Sequence, residues 1–194
     1  MLSRVLSVPF VFQLQQRLFN DYGNVRIEFA AYLERGPLRI LDIGCSTGAG
    51  GQAIFDMARD DYVGIDFTER YTTYASRMYP RGRFMTMDGR ALQFEDERFD
   101  VVSFIGVLHH MDDETARRSL EEARRVLKPD GALLVAEPVF TANDLRSNCL
   151  LSIDRGKHVR ESGEYAALAS AFRIERKRYF RLSFHRFLSL VGRR

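Results

Sequence analysis

The sequence predicts an α/β fold in which a parallel sheet is covered by helices on both faces. Three observations predict it: short apolar runs alternate with helical patterns, the runs are apolar on nearly every residue, and most end in glycine or a carboxylate. Sheets of this kind bind ligands beyond the carboxyl ends of their strands, where the strand order reverses. The residues that follow each strand are therefore the candidate site.

The first half of the chain supplies three strands and the helices between them. Residues 12–33 have a helical pattern with a possible break at 20–24, and Gly36-Pro37 ends it. The predicted strands are 38–43, 62–66 and 83–87, and the predicted helices are 50–59 and Glu69–Met78.

The second half begins with the clearest buried strand, Phe99–Ile105, and an amphipathic helix over 112–127. Lys128-Pro129-Asp130-Gly131 predicts a turn into a fifth strand. The remaining predictions are a strand over 132–136, a looser stretch over 139–163, a helix over 164–171, and β-like runs over 172–180 and 182–191.

Length and composition predict a single domain of 194 residues. We divide it into a helical cap over 1–36, a core over 37–138, and a substrate-side segment with the last strands over 139–194. Apolar runs such as 101–108 are far shorter than the ~20 residues of a membrane span. The N-terminal residues lack a cleavage signature, and Cys45 and Cys149 form no metal or disulfide framework, so we expect a cytoplasmic protein.

The net charge of +3 is unevenly distributed. Residues 155–194 carry eleven Lys or Arg and three Glu, a local charge of +8, which leaves 3 − 8 = −5 for the rest. Such a segment could attract an anionic substrate, nucleic acid or a membrane surface, or it could be a solvated face of mixed charge. Both interpretations stay open at this point.

A glycine-rich turn follows the first predicted strand. Asp42 is followed by four glycines within residues 44–51, more than a tight turn needs. Residues 48–53 also satisfy the dinucleotide pattern G-x-G-x-x-[GA]. However, that match begins five residues beyond the strand, and Asp42 at the mouth of the loop would repel a pyrophosphate and favour a cationic ligand.

Carboxylates follow the next two strands as well. Asp66 comes eighteen residues after Gly48 and could accept hydrogen bonds from a ribose diol, or it could cap the following helix. Asp88-Gly89 could accept from an exocyclic amine, or it could be a simple turn. The fourth strand leads into Gly106 and then His109-His110, where a substrate would meet a cofactor.

Five motifs in this order resemble class I S-adenosylmethionine (SAM)-dependent methyltransferases. They are Leu41-Asp42-Ile43-Gly44-Cys45-x-Thr47-Gly48, Val63-Gly64-Ile65-Asp66, Asp88-Gly89, Phe99-Asp100-Val101-Val102 with Leu108-His109-His110-Met111, and Val126-Leu127-Lys128-Pro129-Asp130-Gly131. The resemblance covers about half the chain. A weaker one, over 151–165, is to small bacterial methyltransferases that act on small molecules.

The resemblance implies a Rossmann-like, seven-stranded, mostly parallel sheet whose last strand is antiparallel, and SAM as cofactor. The resemblance also implies which residues contact each part of SAM. The methionyl part would be held by Asp42, Gly44, Cys45, Ser46 and Gly48, and the methionyl amine would meet Ile105 and Gly106. The ribose would be bound by Asp66 with Phe67, and the adenine by Asp88 with Gly89. Ser46 departs from the family, which usually has glycine there, and serine does not easily adopt positive φ.

Methyl transfer needs alignment, and an alcohol acceptor also needs a base. The candidate base is His109, with His110 second; either could instead pack against the following helix. Glu137 could orient a substrate hydroxyl. Three cations, Arg155, Lys157 and Arg160, could bind an anionic substrate, and Arg26 could pair with the methionyl carboxylate, whereas ordinary packing is expected of Tyr22.

These residues predict a methyltransferase that acts on a small molecule, at oxygen. The alternatives are an NAD(P)-binding oxidoreductase and a methyltransferase-like binding protein without catalysis. Nucleic acid is the weaker acceptor hypothesis because the sequence has neither an aromatic stacking stripe nor a base-methylation motif. Neither the acceptor nor the oligomeric state is predicted.

Overall fold

The computed structural model describes residues 22–142, 144–152, 156–182 and 185–194. The predicted helical residues 12–21 lie outside these ranges. The helices are α1 Tyr22–Leu33, α2 Ala49–Ile54, α3 Glu69–Met78, α4 Asp113–Val126, α5 Leu145–Ser152 and α6 Ser162–Leu168, with a 3₁₀ turn at Leu108–His110. The strands are β1 Arg39–Ile43, β2 Asp61–Asp66, β3 Arg83–Thr86, β4 Phe99–Ile105, β5 Leu127–Pro138, β6 Arg173–Leu182 and β7 His185–Arg193.

The strands form one sheet in the order β3-β2-β1-β4-β5-β7-β6. Strands β1 to β5 are parallel, and β7 pairs antiparallel with both β5 and β6. The predicted seven-stranded sheet with an antiparallel last strand is therefore confirmed. The strand order reverses between β1 and β4, which places the ligand cleft above those two strands.

The core has two layers, one on each face of the sheet. On one face, α4 and α6 cover a cluster that includes Val102, Leu120 and Tyr165. On the other, α1 and α2 cover a cluster that includes Phe29 and Tyr62. Helix α4 begins where the Asp112 side chain accepts a hydrogen bond from the Thr115 amide at 2.8 Å. Burial of both faces explains why the strands are continuous apolar runs.

The structure corrects three element predictions. Helix α2 ends at Ile54 rather than at residue 59. Residues 128–131 lie within β5, where they bulge opposite a single residue of β4, because Phe99 pairs with Leu127 and Val101 with Ala132. Helix α5 occupies part of the stretch expected to be loose.

Within the described ranges, none of the helices combines the length and apolar character that crossing a membrane requires.

Candidate functional site

The loop after β1 is bent by three residues with left-handed backbone. Gly44 and Gly48 have φ of 79°, and Ser46 has φ of 51°. The Ser46 amide donates to Asp66 Oδ2 at 3.1 Å, which ties the loop to the end of β2. The predicted departure from glycine therefore falls on a position that needs the left-handed conformation, and serine adopts it at a cost.

The loop after β1 touches the bend after β4. A side chain at Gly44 would collide with Val107, and Gly106, with φ of 64°, turns the chain at the end of β4. Ile105 and Gly106 thus border the same cleft as the Gly44–Gly48 loop. Residues 48–53 differ from a dinucleotide-binding turn in position, because the pattern starts at Gly48, five residues beyond the end of β1 at Ile43, rather than directly after the strand.

Asp42 lies beneath the cleft and not at its mouth. Its side chain accepts hydrogen bonds from the Tyr62 hydroxyl and the Ser103 hydroxyl, both at 2.7 Å, and only 3% of the residue is exposed. Burial raises the pKa of Asp42 to about 6, against the lowering effect of the two hydroxyls. In this arrangement two neighbouring hydroxyls take up the carboxylate, and a direct contact with a ligand stays a prediction. Sequence reasoning missed Ser103, although it stands opposite Asp42 in the β1–β4 register.

Asp66 lies at the carboxyl end of β2, 8% exposed. Besides the Ser46 amide, it accepts the Thr68 amide at 2.8 Å through Oδ1, and burial raises its pKa. The Thr68 side chain hydrogen-bonds to the same carboxylate, so three of its four acceptor directions are used within the protein. The carboxylate fixes two loops and remains able to accept from a diol.

An open depression of about 360 Å³ lies between the ends of β2 and β3. Phe67 is 84% exposed and lines it together with Asp88. Asp88 is paired bidentately with Arg90, whose Nη2 lies 2.7 Å from Oδ2, and this pairing lowers the pKa of Asp88. An exposed aromatic face beside a carboxylate suits a purine with an exocyclic amine. Sequence reasoning missed Arg90, although a cation two residues after the carboxylate was the available signal.

His109 lies next to the cleft on the 3₁₀ turn after β4. Its Nδ1 lies 2.7 Å from Glu137 Oε2, and its Cε1 lies 3.9 Å from the position of a side chain on Gly106. The His110 ring lies against it, with 4.0 Å between the ring centroids and 41° between the ring planes. The two predicted histidines are therefore together, with His109 buried and His110 exposed.

Glu137 has a different role from the predicted one. Besides His109 Nδ1, it accepts the backbone amides of Val107, Leu108 and His109 at 2.8, 2.7 and 3.3 Å, and it is fully buried. No face of its carboxylate is exposed for a substrate hydroxyl. An ionised carboxylate only accepts, so as a carboxylate Glu137 pairs with the His109 tautomer that carries its hydrogen on Nδ1.

Arg160 is 6% exposed, and its N–H groups are used inside the protein. It donates to the Asp113 carboxylate and to the carbonyls of Leu108, Met111 and His158. All five N–H groups are engaged within the protein, so the substrate contact predicted for Arg160 stays a prediction that requires one of these hydrogen bonds to be exchanged.

The remaining predicted residues contact other parts of the protein or lie outside the described ranges. Arg26 donates from Nη1 to the Ile54 carbonyl at 2.9 Å, at the C-terminal end of α2, and its pairing with a ligand carboxylate stays a prediction. The Tyr22 ring packs beside Gly50. Arg155 lies outside the described residues. Cys45 is buried behind the loop, and burial raises the pKa of its thiol well above the usual range.

Much of the basic C-terminal quarter is paired. Arg173, Arg176, Arg181, Arg193 and Arg194 form ion pairs with Glu175, Glu28, Asp144, Glu175 and Glu97. Three of these pairs use carboxylates outside residues 155–194, namely Glu28, Asp144 and Glu97, and for that part of the excess charge they favour the solvated-face interpretation. Lys157, which is exposed, directly follows Gly156, and Gly156 packs against the His109 ring.

Residues 40–131 match the family model described as "Methyltransferase domain". The uncharacterized methyltransferase YcgJ of Bacillus subtilis (strain 168) is 33% identical over 148 residues, which cover 71% of this chain and 57% of that protein. The probable tRNA methyltransferase 9B of Homo sapiens is 36% identical over 131 residues, which cover 66% of this chain and 26% of that protein. The chain thus spans between about a quarter and just over half of the length of these two relatives.

The fold recurs in the 1,6-didemethyltoxoflavin-N1-methyltransferase of Burkholderia thailandensis. The TM-score is 0.69 at 19% identity, with 89% of this chain and 77% of that chain covered. That structure holds 1,6-didemethyltoxoflavin and S-adenosylhomocysteine. At this identity the likeness concerns the fold.

Proposed function

Because the chain belongs to the class I SAM-dependent methyltransferases, we propose that it binds SAM above β1 and β4 and methylates an oxygen atom of a small molecule. The observation that carries the choice of oxygen is the contact between His109 Nδ1 and Glu137 at 2.7 Å. In an imidazole that carries its single hydrogen on Nδ1, the other nitrogen, Nε2, is the basic one. An alcohol or phenol acceptor requires such a base, whereas better nucleophiles do not.

The residues around the cleft fit SAM in three parts. Asp66 lies at the carboxyl end of β2 and keeps acceptor capacity for a ribose hydroxyl beside its hydrogen bonds with Ser46 and Thr68. Phe67 and Asp88 supply an aromatic face and an acceptor for the adenine amine. The Gly44–Gly48 loop and the backbone at Ile105 and Gly106 border the space left for the methionyl part. Asp42 supports this loop from below through Tyr62 and Ser103.

SAM supplies an electrophilic methyl group on a sulfonium that leaves as a thioether, so the protein contributes placement and proton removal. The acceptor's O–H bond breaks as the new carbon–oxygen bond forms, and the proton moves to His109 Nε2. Holding the two reactants in line contributes about 7–11 kcal/mol, and a positioned base contributes a rate factor of ~10²–10⁴.

A small-molecule acceptor is supported by the ion pairs of Arg176, Arg181 and Arg194 with carboxylates outside the basic segment, which leave fewer free cations for a polyanionic nucleic acid. The relative named for tRNA shares only a quarter of its length with this chain. Lys157 is exposed and directly follows Gly156, which packs against the His109 ring, so it is the cation that we assign to an anionic acceptor. An acceptor with a hydroxyl and a carboxylate or phosphate group therefore suits the site best.

Cofactor binding is tested by calorimetry with SAM, S-adenosylhomocysteine and NADH. Asp66→Ala should weaken SAM binding by ~1–3 kcal/mol, the cost of stranding its hydrogen-bond partners. The matched control is Asp61→Ala, at the opposite end of the same strand, which should leave the affinity unchanged. NADH binding without SAM binding would overturn the assignment.

Transfer is tested with SAM labelled in its methyl group and a panel of phenols, hydroxy acids, amines and bulk tRNA. We expect label in hydroxylated small molecules, and a loss of ~10²–10⁴-fold in His109→Asn with unchanged SAM affinity. Label in tRNA, or transfer that His109→Asn does not slow, would contradict the proposal. Tight SAM binding with no transfer to any acceptor would favour a binding protein without catalysis.

A further inference from the structure

The turn that carries His109 cannot stabilise itself. It has one 3₁₀ turn, closed by hydrogen bonds from the His110 amide to the Val107 carbonyl and from the Met111 amide to the Leu108 carbonyl. So short a helix leaves most of its amides and carbonyls without internal partners. Other parts of the chain must supply them if His109 is to keep one orientation.

Glu137 supplies the acceptors for the amide end of this turn. As the last residue but one of β5, it reaches across to the neighbouring β4 and accepts three consecutive backbone amides. The same carboxylate accepts from His109 Nδ1. Backbone and imidazole are thus held by one buried group, and a negative charge at this end also complements the partial positive charge of the amides.

Arg160 supplies the donors for the carbonyl end. Its Nη1 and Nη2 bind the Leu108 and Met111 carbonyls at 3.0 and 2.7 Å, and its Nε and Nη2 bind Asp113 at 3.0 and 2.7 Å. The planar guanidinium spans all these acceptors at once, which an ammonium group cannot do. A second contact reinforces the position, because Arg160 Nη1 also binds the His158 carbonyl at 2.9 Å.

The chain between His158 and Gly156 completes the enclosure of the imidazole. The His158 amide donates to the His109 carbonyl at 2.9 Å. A side chain on Gly156 would collide with the His109 ring. Arg160 therefore holds down both the turn and the segment that packs on its histidine.

We propose that Glu137 and Arg160 are positioning residues that clamp the two ends of the 107–111 turn and thereby keep His109 with its proton on Nδ1 and its basic Nε2 towards the acceptor. The inference rests on the proposed role of His109 as base. Glu137 selects the tautomer, since its oxygens only accept. Arg160 acts through the backbone and keeps the ring in reach of Glu137.

The tautomer is measured directly by long-range ¹H–¹⁵N spectra of the imidazole rings at about pH 8, above the ordinary imidazole pKa of ~6.5. The chain has four histidines, and the His109 signals are those lost in His109→Gln. This measurement needs neither SAM nor an acceptor, so its outcome is independent of whether the protein transfers methyl groups. In the wild type we expect the Nδ1–H tautomer, and an Nε2–H tautomer would overturn the proposal without any variant.

Two conservative variants test the clamp. Glu137→Gln keeps the shape of the side chain but introduces an NH₂ group that can donate to Nδ1, so the proton should move to Nε2. Arg160→Lys keeps the charge but cannot bridge the carbonyls, so His109 should show both tautomers. The matched controls are Glu114→Gln and Arg118→Lys, an exposed pair on α4, which should leave the spectrum unchanged.

Thermal unfolding and S-adenosylhomocysteine titration accompany each spectrum. We expect cooperative unfolding and unchanged affinity, together with an altered tautomer. Where an acceptor has been found, kcat should fall ~10²–10⁴-fold in Glu137→Gln with little change in KM. A His109 spectrum that stays wild-type in folded Glu137→Gln or Arg160→Lys would refute the clamp, even if methyl transfer were established.

Discussion

The strained serine in the cofactor loop predicts that Ser46→Gly stabilises the protein. Ser46 has φ of 51°, and its hydroxyl is buried with no partner among the residues that the structure describes. A left-handed non-glycine residue costs about 1–2 kcal/mol. Glycine relieves that strain but adds roughly 0.5–1 kcal/mol of unfolded-state entropy. The net expected gain is about 1 kcal/mol.

Ser46→Ala separates the strain from the buried hydroxyl. Both variants remove the hydroxyl, but alanine keeps the strain, so Ser46→Gly should be more stable than Ser46→Ala by about 1 kcal/mol. Urea unfolding measures the free energies, and a chain of this length should show a shift in Tm of about 2–4 °C per kcal/mol. A glycine variant no more stable than the alanine variant would refute the reasoning.

Three further predictions concern the buried Asp42, the Asp88–Arg90 ion pair, and Gly156, which packs against His109. The pKa of Asp42 rises from 3.8 to about 6 in the folded state, so its contribution to stability is complete below about pH 4 and falls by roughly 3 kcal/mol as the pH rises through 6. In urea unfolding between about pH 4 and 7, Asp42→Asn should therefore flatten the dependence of the free energy of unfolding on pH. An unchanged slope in this variant would contradict the prediction. Arg90→Gln should raise the pKa of Asp88, measured by carboxyl ¹³C titration, since the guanidinium lowers it. Gly156→Ala should lower the free energy of unfolding by ~1–3 kcal/mol, because the added methyl group overlaps the His109 imidazole. The control is Gly163→Ala at the start of α6, where the methyl group meets open space, and this variant should be neutral or stabilising in the same unfolding assay.

The elements predicted best from the sequence are those with purely local signals. Strand β4 and helix α3 have the predicted bounds, Phe99–Ile105 and Glu69–Met78. The strand is a continuous apolar run, and the helix stops before Pro80. In contrast, helix α5 lacks a clear amphipathic pattern, and the bulge at 128–131 depends on pairing with β4, so neither could be predicted locally.

The sequence predicts where the residues of the candidate site lie better than it predicts which groups they contact. Topology places the carboxyl ends of β1 to β4 at one edge, so Asp66, Asp88 and His109 had to lie near the cleft. Topology does not say which side chains face a ligand. Asp42 illustrates the difference, because its exposure is decided by the hydroxyls of Tyr62 and Ser103 on neighbouring strands.

Glu137 and Arg160 show why charged residues near a cleft are ambiguous in a sequence. A charged side chain is rarely buried unless it is paired, so exposure to substrate was the natural expectation for both. Each is buried here because its partners are backbone groups of a turn too short to satisfy its own, together with His109 Nδ1 and Asp113. These partners lie 28 or more residues away along the chain, beyond any local pattern. The histidine on the short turn after β4 therefore depends on an acceptor at the end of β5 and on a donor from the segment beyond β5. The imidazole spectra of Glu137→Gln and Arg160→Lys test this dependence directly, because they show whether Nε2 of His109 is free to take a proton.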